Sequence, residues 1–158
     1  MIEERTLPQI VDMGNEKIRE LLKHQNFGHL GCCRDNRPYV IPIHFAYSDP
    51  DIYFYTTEGL KTEIIGENAT VCLQVEEIDD RKHWKSVIVT GTAERMTSQQ
   101  DIDHAKELVE AANPRLLPAW SIRWMDQWVK SNIEAVYRIS PEILSGRMTI
   151  AQRDDTDE

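Results

Sequence analysis

Apolar and polar residues alternate with a period of two along much of this chain, which is the signature of half-buried strands. In residues 69–78, ATVCLQVEEI, Val71, Leu73 and Val75 fall on one side and Cys72 and Gln74 on the other. In residues 83–96, HWKSVIVTGTAERM, Trp84, Ser86 and Ile88 alternate against Lys85, Val87 and Val89, with a break or bulge expected near Gly91. Residues 29–48 read as two strands around a turn at Asp35-Asn36, and SDPD, residues 48–51, supplies the next turn. The β-branched and aromatic residues of 52–56 form a further strand, and IEAVYRIS, residues 133–140, is the last.

Other stretches follow the helical period. Residues 15–26 place Ile18, Leu21 and Leu22 on one face, with Asn15 as the expected cap. Residues 59–67 form a short helix whose apolar face is Leu60, Ile64 and Ile65. Ser98 caps a helix running to about residue 112, with Ile102, Ala105, Leu108, Val109 and Ala112 inward. A tryptophan-rich helical segment, with Trp120, Trp124 and Trp128 at four-residue spacing, follows Pro114 and Pro118. The expected total is five to seven strands. Their short connections make neighbours antiparallel, and no regular strand–helix alternation supports a doubly wound parallel sheet. The fold expected is mainly β within the α+β class: a small antiparallel barrel with peripheral helices. Residues 1–150 read as one domain, and the acidic tail 151–158 as disordered.

Composition narrows the partners. A formal net charge of −9 argues against a nucleic acid, whose binding depends on neutralising phosphates, and against an anionic membrane surface. No apolar run approaches the roughly 20 residues of a spanning helix. The start, MIEERTLPQI, lacks a basic segment followed by an apolar one, and the three cysteines, Cys32, Cys33 and Cys72, have no C-x-x-C spacing. A reduced, cytoplasmic protein without a structural metal is expected.

Three stretches carry candidate chemistry. In YFYTTEGLK, residues 53–61, a strand end meets a helix start: unpaired amides, the hydroxyls of Thr56 and Thr57, a close turn at Gly59 and the charge of Lys61 make an anion cradle. The same stretch serves equally as an ordinary strand-to-helix connection, since the G-x-x-x-x-G-K-[ST] spacing is absent. In RPYVIPIHFAY, residues 37–47, Pro42 inside an apolar strand marks an edge or a place where pairing stops. Such a strand either accepts the edge of a planar heterocycle or is simply an edge protected by proline. In the third stretch, Lys85 and Ser86 are phosphate or hydrogen-bond contacts on one reading and surface residues on the other.

Taken in order, RPYVIPIHF, IYFYTTEGLKT, VCLQV and WKSVIVTGTAE resemble the pyridoxamine 5′-phosphate oxidase-like superfamily. Within it they are most similar to the flavin-nucleotide-binding branch related to nitroimidazole resistance proteins. The resemblance implies a split, Greek-key-like β-barrel that binds FMN at a homodimer interface. It implies phosphate contacts from Tyr55, Thr56, Thr57, Lys61 and Thr62, and a flavin ring lying along Val40, Ile41 and Pro42. It assigns Trp84, Lys85 and Ser86 to a strand reaching in from the partner chain, Arg147 of the late SGR to the phosphate or ring edge, and His44 to a place near the flavin.

One departure bears on the activity. The arginine–histidine substrate signature of true pyridoxamine phosphate oxidases is missing from SGRMTIAQRDDTDE, so vitamin B6 oxidation is not expected. The expectation is a flavin-dependent oxidoreductase acting on a small molecule, with the flavin supplying the chemistry and His44 as the first catalytic candidate. A flavin carrier or redox sensor, a haem protein with His44 or His83 as ligand, and a dimeric interaction domain without cofactor are the alternatives. The Trp120, Trp124 and Trp128 segment is read either as packing or as an aromatic wall over the flavin.

Overall fold

The computed structural model describes residues 8–114 and 134–151. The tryptophan segment and the acidic tail from residue 152 therefore lie outside the described residues. In chain order the elements are β1 (Gln9–Asp12), α1 (Asn15–His24), β2 (Phe27–Arg34), β3 (Arg37–His44), β4 (Ala46–Ser48), β5 (Asp51–Thr57), α2 (Leu60–Glu67), β6 (Thr70–Asp80), β7 (His83–Arg95), α3 (Gln99–Ala112) and β8 (Glu134–Ile150).

All pairings are antiparallel, and the strand order is β3-β2-β6-β7-β8-β5-β4, with β1 added to the far part of β8. The sheet does not close. β3 and β4 are its ends, and β3 comes beside β5 without hydrogen bonding to it. The antiparallel pairing is the one expected from the turn spacing, and the opening is the one the family resemblance implies. Asp35 and Asn36 both take positive φ, 52° and 61°, as a tight two-residue hairpin requires.

Period-two alternation sorts the core as read. Leu73, Val75, Val87 and Val89 are fully buried, with Leu30 and Ile139 beside them. Each such side chain contributes about 1.5–3 kcal/mol by leaving water. α1 closes one end of this core with Ile18, Leu21 and Leu22. α3 covers the other side of β5 and β8, where Ala105 and Val109 pack near Met96, Val136, Tyr53 and Tyr55.

Four details differ from the sequence reading. Among the described residues there are eight strands, because β1 and β4 span only four and three residues, too short for a period to register. Gly14, not Asn15, occupies the N-cap of α1. Leu60 is 46% exposed, and Thr62 takes the buried place expected for it. The last strand is 17 residues long and continues through Pro141. There a bulge at Thr90/Gly91 shifts the register, so Ala135, Tyr137 and Ile139 face the core before it and Leu144, Gly146 and Met148 after it. Gly91 permits this crossing, since a Cβ on it would collide with the Ser140 carbonyl.

Candidate functional site

The β5–α2 turn carries the predicted anion cradle. Strand alternation parts its residues: Tyr55 turns to the small apolar cluster under α3, while Thr56 follows the core-facing parity of Ile52 and Phe54. At the helix start, the Gly59 amide donates to Thr62 Oγ1 at 2.9 Å. The Thr62 hydroxyl lies 2.8 Å from both Glu58 Oε2 and the Gly59 carbonyl. Thr62 is buried and its hydrogen-bonding capacity is spent on its own helix end. Glu58 also pairs with Arg95 at the end of β7. The Thr62 hydroxyl and then the Arg95 guanidinium hold the Glu58 carboxyl below its ordinary range. Lys61 is half-buried, and neither its ammonium nor the hydroxyls of Thr56 and Thr57 has a partner among the described residues.

Glu58 and Arg95 were missed in the sequence. Glu58 sits inside the quoted motif, and its position before a glycine at a helix start was the available signal. Arg95 had none, because a strand end almost forty residues away becomes a neighbour only through the sheet.

The β3 edge is the second piece. The two-residue turn makes Arg34 and Arg37 a hydrogen-bonded pair, so Tyr39, Ile41 and Ile43 bond back to β2. Pro38, Val40 and Pro42 then direct their backbone polar groups to the open side. Pro38 and Pro42 lack an N–H. Val40 therefore offers the amide donor at the middle of this edge, flanked by carbonyl acceptors. Val40 is 63% exposed and Pro42 is exposed too, whereas Ile41 points to the core face. His44, on the same outward parity, is half-buried against Phe27.

The third piece is a groove of about 520 Å³ lined by Asp12 of β1, Trp84, Ser86 and Ile88 of β7, and Ser145, Gly146 and Arg147 of β8. It brings together three residues expected in a site: Trp84, Ser86 and Arg147. Ser86 Oγ accepts from Gln74 Nε2 at 3.2 Å, and Arg147 Nε lies 3.6 Å from Asp12 Oδ1 with both side chains largely in solvent. Lys85 does not join them. It faces the opposite side, in a cleft with Lys17, Glu20 and His24 of α1 and Glu77 of β6. The alternation of β7 demands this separation.

The turn and the groove stand at opposite ends of β8. Thr57 pairs with Glu134 and Ser86 with Arg147, thirteen residues later, which is about 40 Å of strand at about 3.3 Å per residue. Meanwhile the outer face of β3, β2, β6, β7 and β8 is continuous, and it leaves Val40, Ile88 and Ile143 exposed. Among the described residues there is no cluster of metal-ligating side chains and no helix long and apolar enough to cross a membrane.

Comparison with known proteins yields consistent matches. A family model described as pyridoxamine 5′-phosphate oxidase matches residues 14–148. An uncharacterized protein of Rhizobium meliloti (strain 1021) is 32% identical over 94 residues, 60% of this chain and 62% of the relative, so the match spans less than two thirds of that relative's length. The crystal structure of an FAD-binding protein from Mesorhizobium loti superposes with a TM-score of 0.71 at 27% identity, covering 88% of this chain and 97% of the other. A 5-nitroimidazole antibiotic resistance protein from Bacteroides thetaiotaomicron shares the fold, with a TM-score of 0.67 at 15% identity over 90% of each chain.

Proposed function

Because the chain belongs to the pyridoxamine 5′-phosphate oxidase family, we propose that it binds a flavin, FMN, in a site built by two copies of the chain, and uses it for redox chemistry on a small molecule. The distance along β8 between the β5–α2 turn and the Trp84 groove carries this reading. Within a single chain the two stand at opposite ends of a 17-residue strand. A second copy, packed on the continuous outer face, brings its groove to the first copy's turn and covers the exposed apolar residues there.

The residues present suit such a ligand. Lys61 and the first amides of α2, with Thr56 and Thr57, would hold the phosphate. Placing Lys61 there offsets an overall charge of −9 locally. Thr62 acts one step removed, by fixing the helix start and Glu58. The Val40 amide and its neighbouring carbonyls match the alternating donors and acceptors on the edge of a flavin ring. Trp84, Ser86 and Arg147 from the partner would close the other side. A bound flavin supplies two-electron transfer at its ring, and the protein orients it and limits what reaches it.

The first test is the absorbance of the freshly purified protein and its melting temperature with added FMN. Flavin bands, or a stabilisation of about 2.7 kcal/mol at a hundredfold excess over Kd, are expected. A colourless protein whose melting is indifferent to FMN would overturn the reading. Chromatography of released cofactor then separates FMN from FAD, the group bound by the Mesorhizobium loti relative.

A further inference from the structure

The end of β3 is tied to the end of α3 by an arrangement that fixes which nitrogen of His44 carries a proton. Asn113, the C-cap of α3, is 2% exposed. Its Nδ2 donates to the Phe45 carbonyl at 3.1 Å and to the Val109 carbonyl at 2.9 Å. Both amide hydrogens are thus used, and Oδ1 is the atom that faces His44 Nδ1, at 3.1 Å. A flipped carboxamide would press its oxygen against two carbonyl oxygens in a buried place, at the cost of two hydrogen bonds. Since Oδ1 carries no hydrogen, the bond to His44 requires a proton on Nδ1.

The surroundings hold that geometry. Asn26 Nδ2 donates to the Ala112 carbonyl at 2.8 Å, and the Asn26 carbonyl accepts from the Phe45 amide at 2.9 Å. The Phe27 ring meets the imidazole edge-on with centroids 5.1 Å apart. Nε2 lies on the far side of the ring from Nδ1 and has no hydrogen-bond partner among the described residues.

We infer that Asn113 is a positioning residue that locks His44 in the tautomer protonated at Nδ1, and that Nε2 is thereby the acceptor, for a hydrogen bond or a proton, toward a heterocyclic ligand along the outer side of β3. The second clause rests on the flavin reading. The first does not.

The tautomer is read directly from long-range proton–nitrogen spectra of ¹⁵N-labelled protein free of flavin at neutral pH. Protonated Nδ1 and bare Nε2 are expected for His44, and the reverse tautomer or an even mixture overturns the lock. Asn113→Ala should release the ring to the Nε2-protonated form, and an unchanged ring would remove Asn113 from the role. The wild-type spectrum keeps the lock falsifiable even if the alanine variant does not fold. His44→Asn keeps a donor near Nδ1 but removes the Nε2 acceptor. It should melt close to wild type and bind FMN about tenfold more weakly. Unchanged affinity refutes the acceptor role. A wild-type protein that takes up no flavin ends that role and the site reading together, while the tautomer result stands or falls by itself.

Discussion

The β5–α2 turn and the Trp84 groove differ in how much of their chemistry the fold has already used. At the turn, Gly59, Thr62, Glu58 and Arg95 satisfy one another, and Lys61 with the two threonines is what remains. In the groove, Gln74 donates to Ser86, the Trp84 backbone amide donates to Thr149, and one long, exposed contact joins Arg147 to Asp12, while the side chains of Trp84, Ser145 and Arg147 line an open space. A site whose internal pairs are complete is shaped before a ligand arrives. A half with unspent groups on an apolar face is shaped by what docks on it. On the proposed function, the turn would act as the preformed half of the site and the groove as the half that a second copy completes.

The largest expected effect separates the two ends of β8. Gly91→Ala pushes a methyl into the Ser140 carbonyl, and should cost about 1–3 kcal/mol. By forcing the bulge to move, it should disturb the register of residues 143–148, and hence the groove, while the Thr57–Glu134 end keeps its pairing. Thermal melts and backbone amide shifts would check both. Equal disturbance at the turn would contradict the separation.

Next in size is Lys61→Ala. Loss of one charge-assisted contact should weaken FMN binding about tenfold or more, while the exposed helix substitution Lys23→Ala leaves it unchanged. Titration calorimetry on the two variants gives the comparison, and matching affinities would take Lys61 out of the site. Trp84→Ala should weaken binding by a few-fold and loosen the dimer, whereas the neighbouring Lys85→Ala, on the other side of β7, should do neither. Sedimentation with and without FMN distinguishes them.

The smallest effect lies inside the turn. Thr62→Val removes the hydroxyl that caps α2, for about 1 kcal/mol of stability. It also removes the first cause of the low Glu58 pKa, so Glu58 should titrate closer to an ordinary glutamate. The folded pKa of Glu58 lies below its unfolded value. Its pairing therefore stabilises the fold above the ordinary glutamate range, and that contribution fades as the pH falls through the depressed value. A carboxyl-carbon NMR titration of Glu58 in both proteins measures the change. An identical titration in both would mean that Thr62 does not set it.

The same contrast marks what was legible in the sequence. Alternation at Val71–Val75 and along β7 encodes which side of a strand is wet, and the structure follows it down to the parting of Lys85 from Ser86. Ser98 and the Asp35-Asn36 turn act within a few residues and were equally readable. Leu60 was misread because an eight-residue helix offers too few turns for its period to choose between Leu60 and Thr62. β8 was cut short at Pro141 because a proline normally ends a central strand, and only the Gly91 bulge across the sheet makes it tolerable there. Arg95 and Asn113 became neighbours of Glu58 and His44 through long-range packing, which no local spacing announces.

Mixed dimers test the central claim most directly. Lys61→Ala damages the turn, and Arg147→Ala damages the groove. If each flavin site takes its turn from one chain and its groove from the other, mixing and exchanging the two weak-binding homodimers should restore tight FMN binding at about one site in four. Titration that finds no recovered sites after subunit exchange would contradict the account.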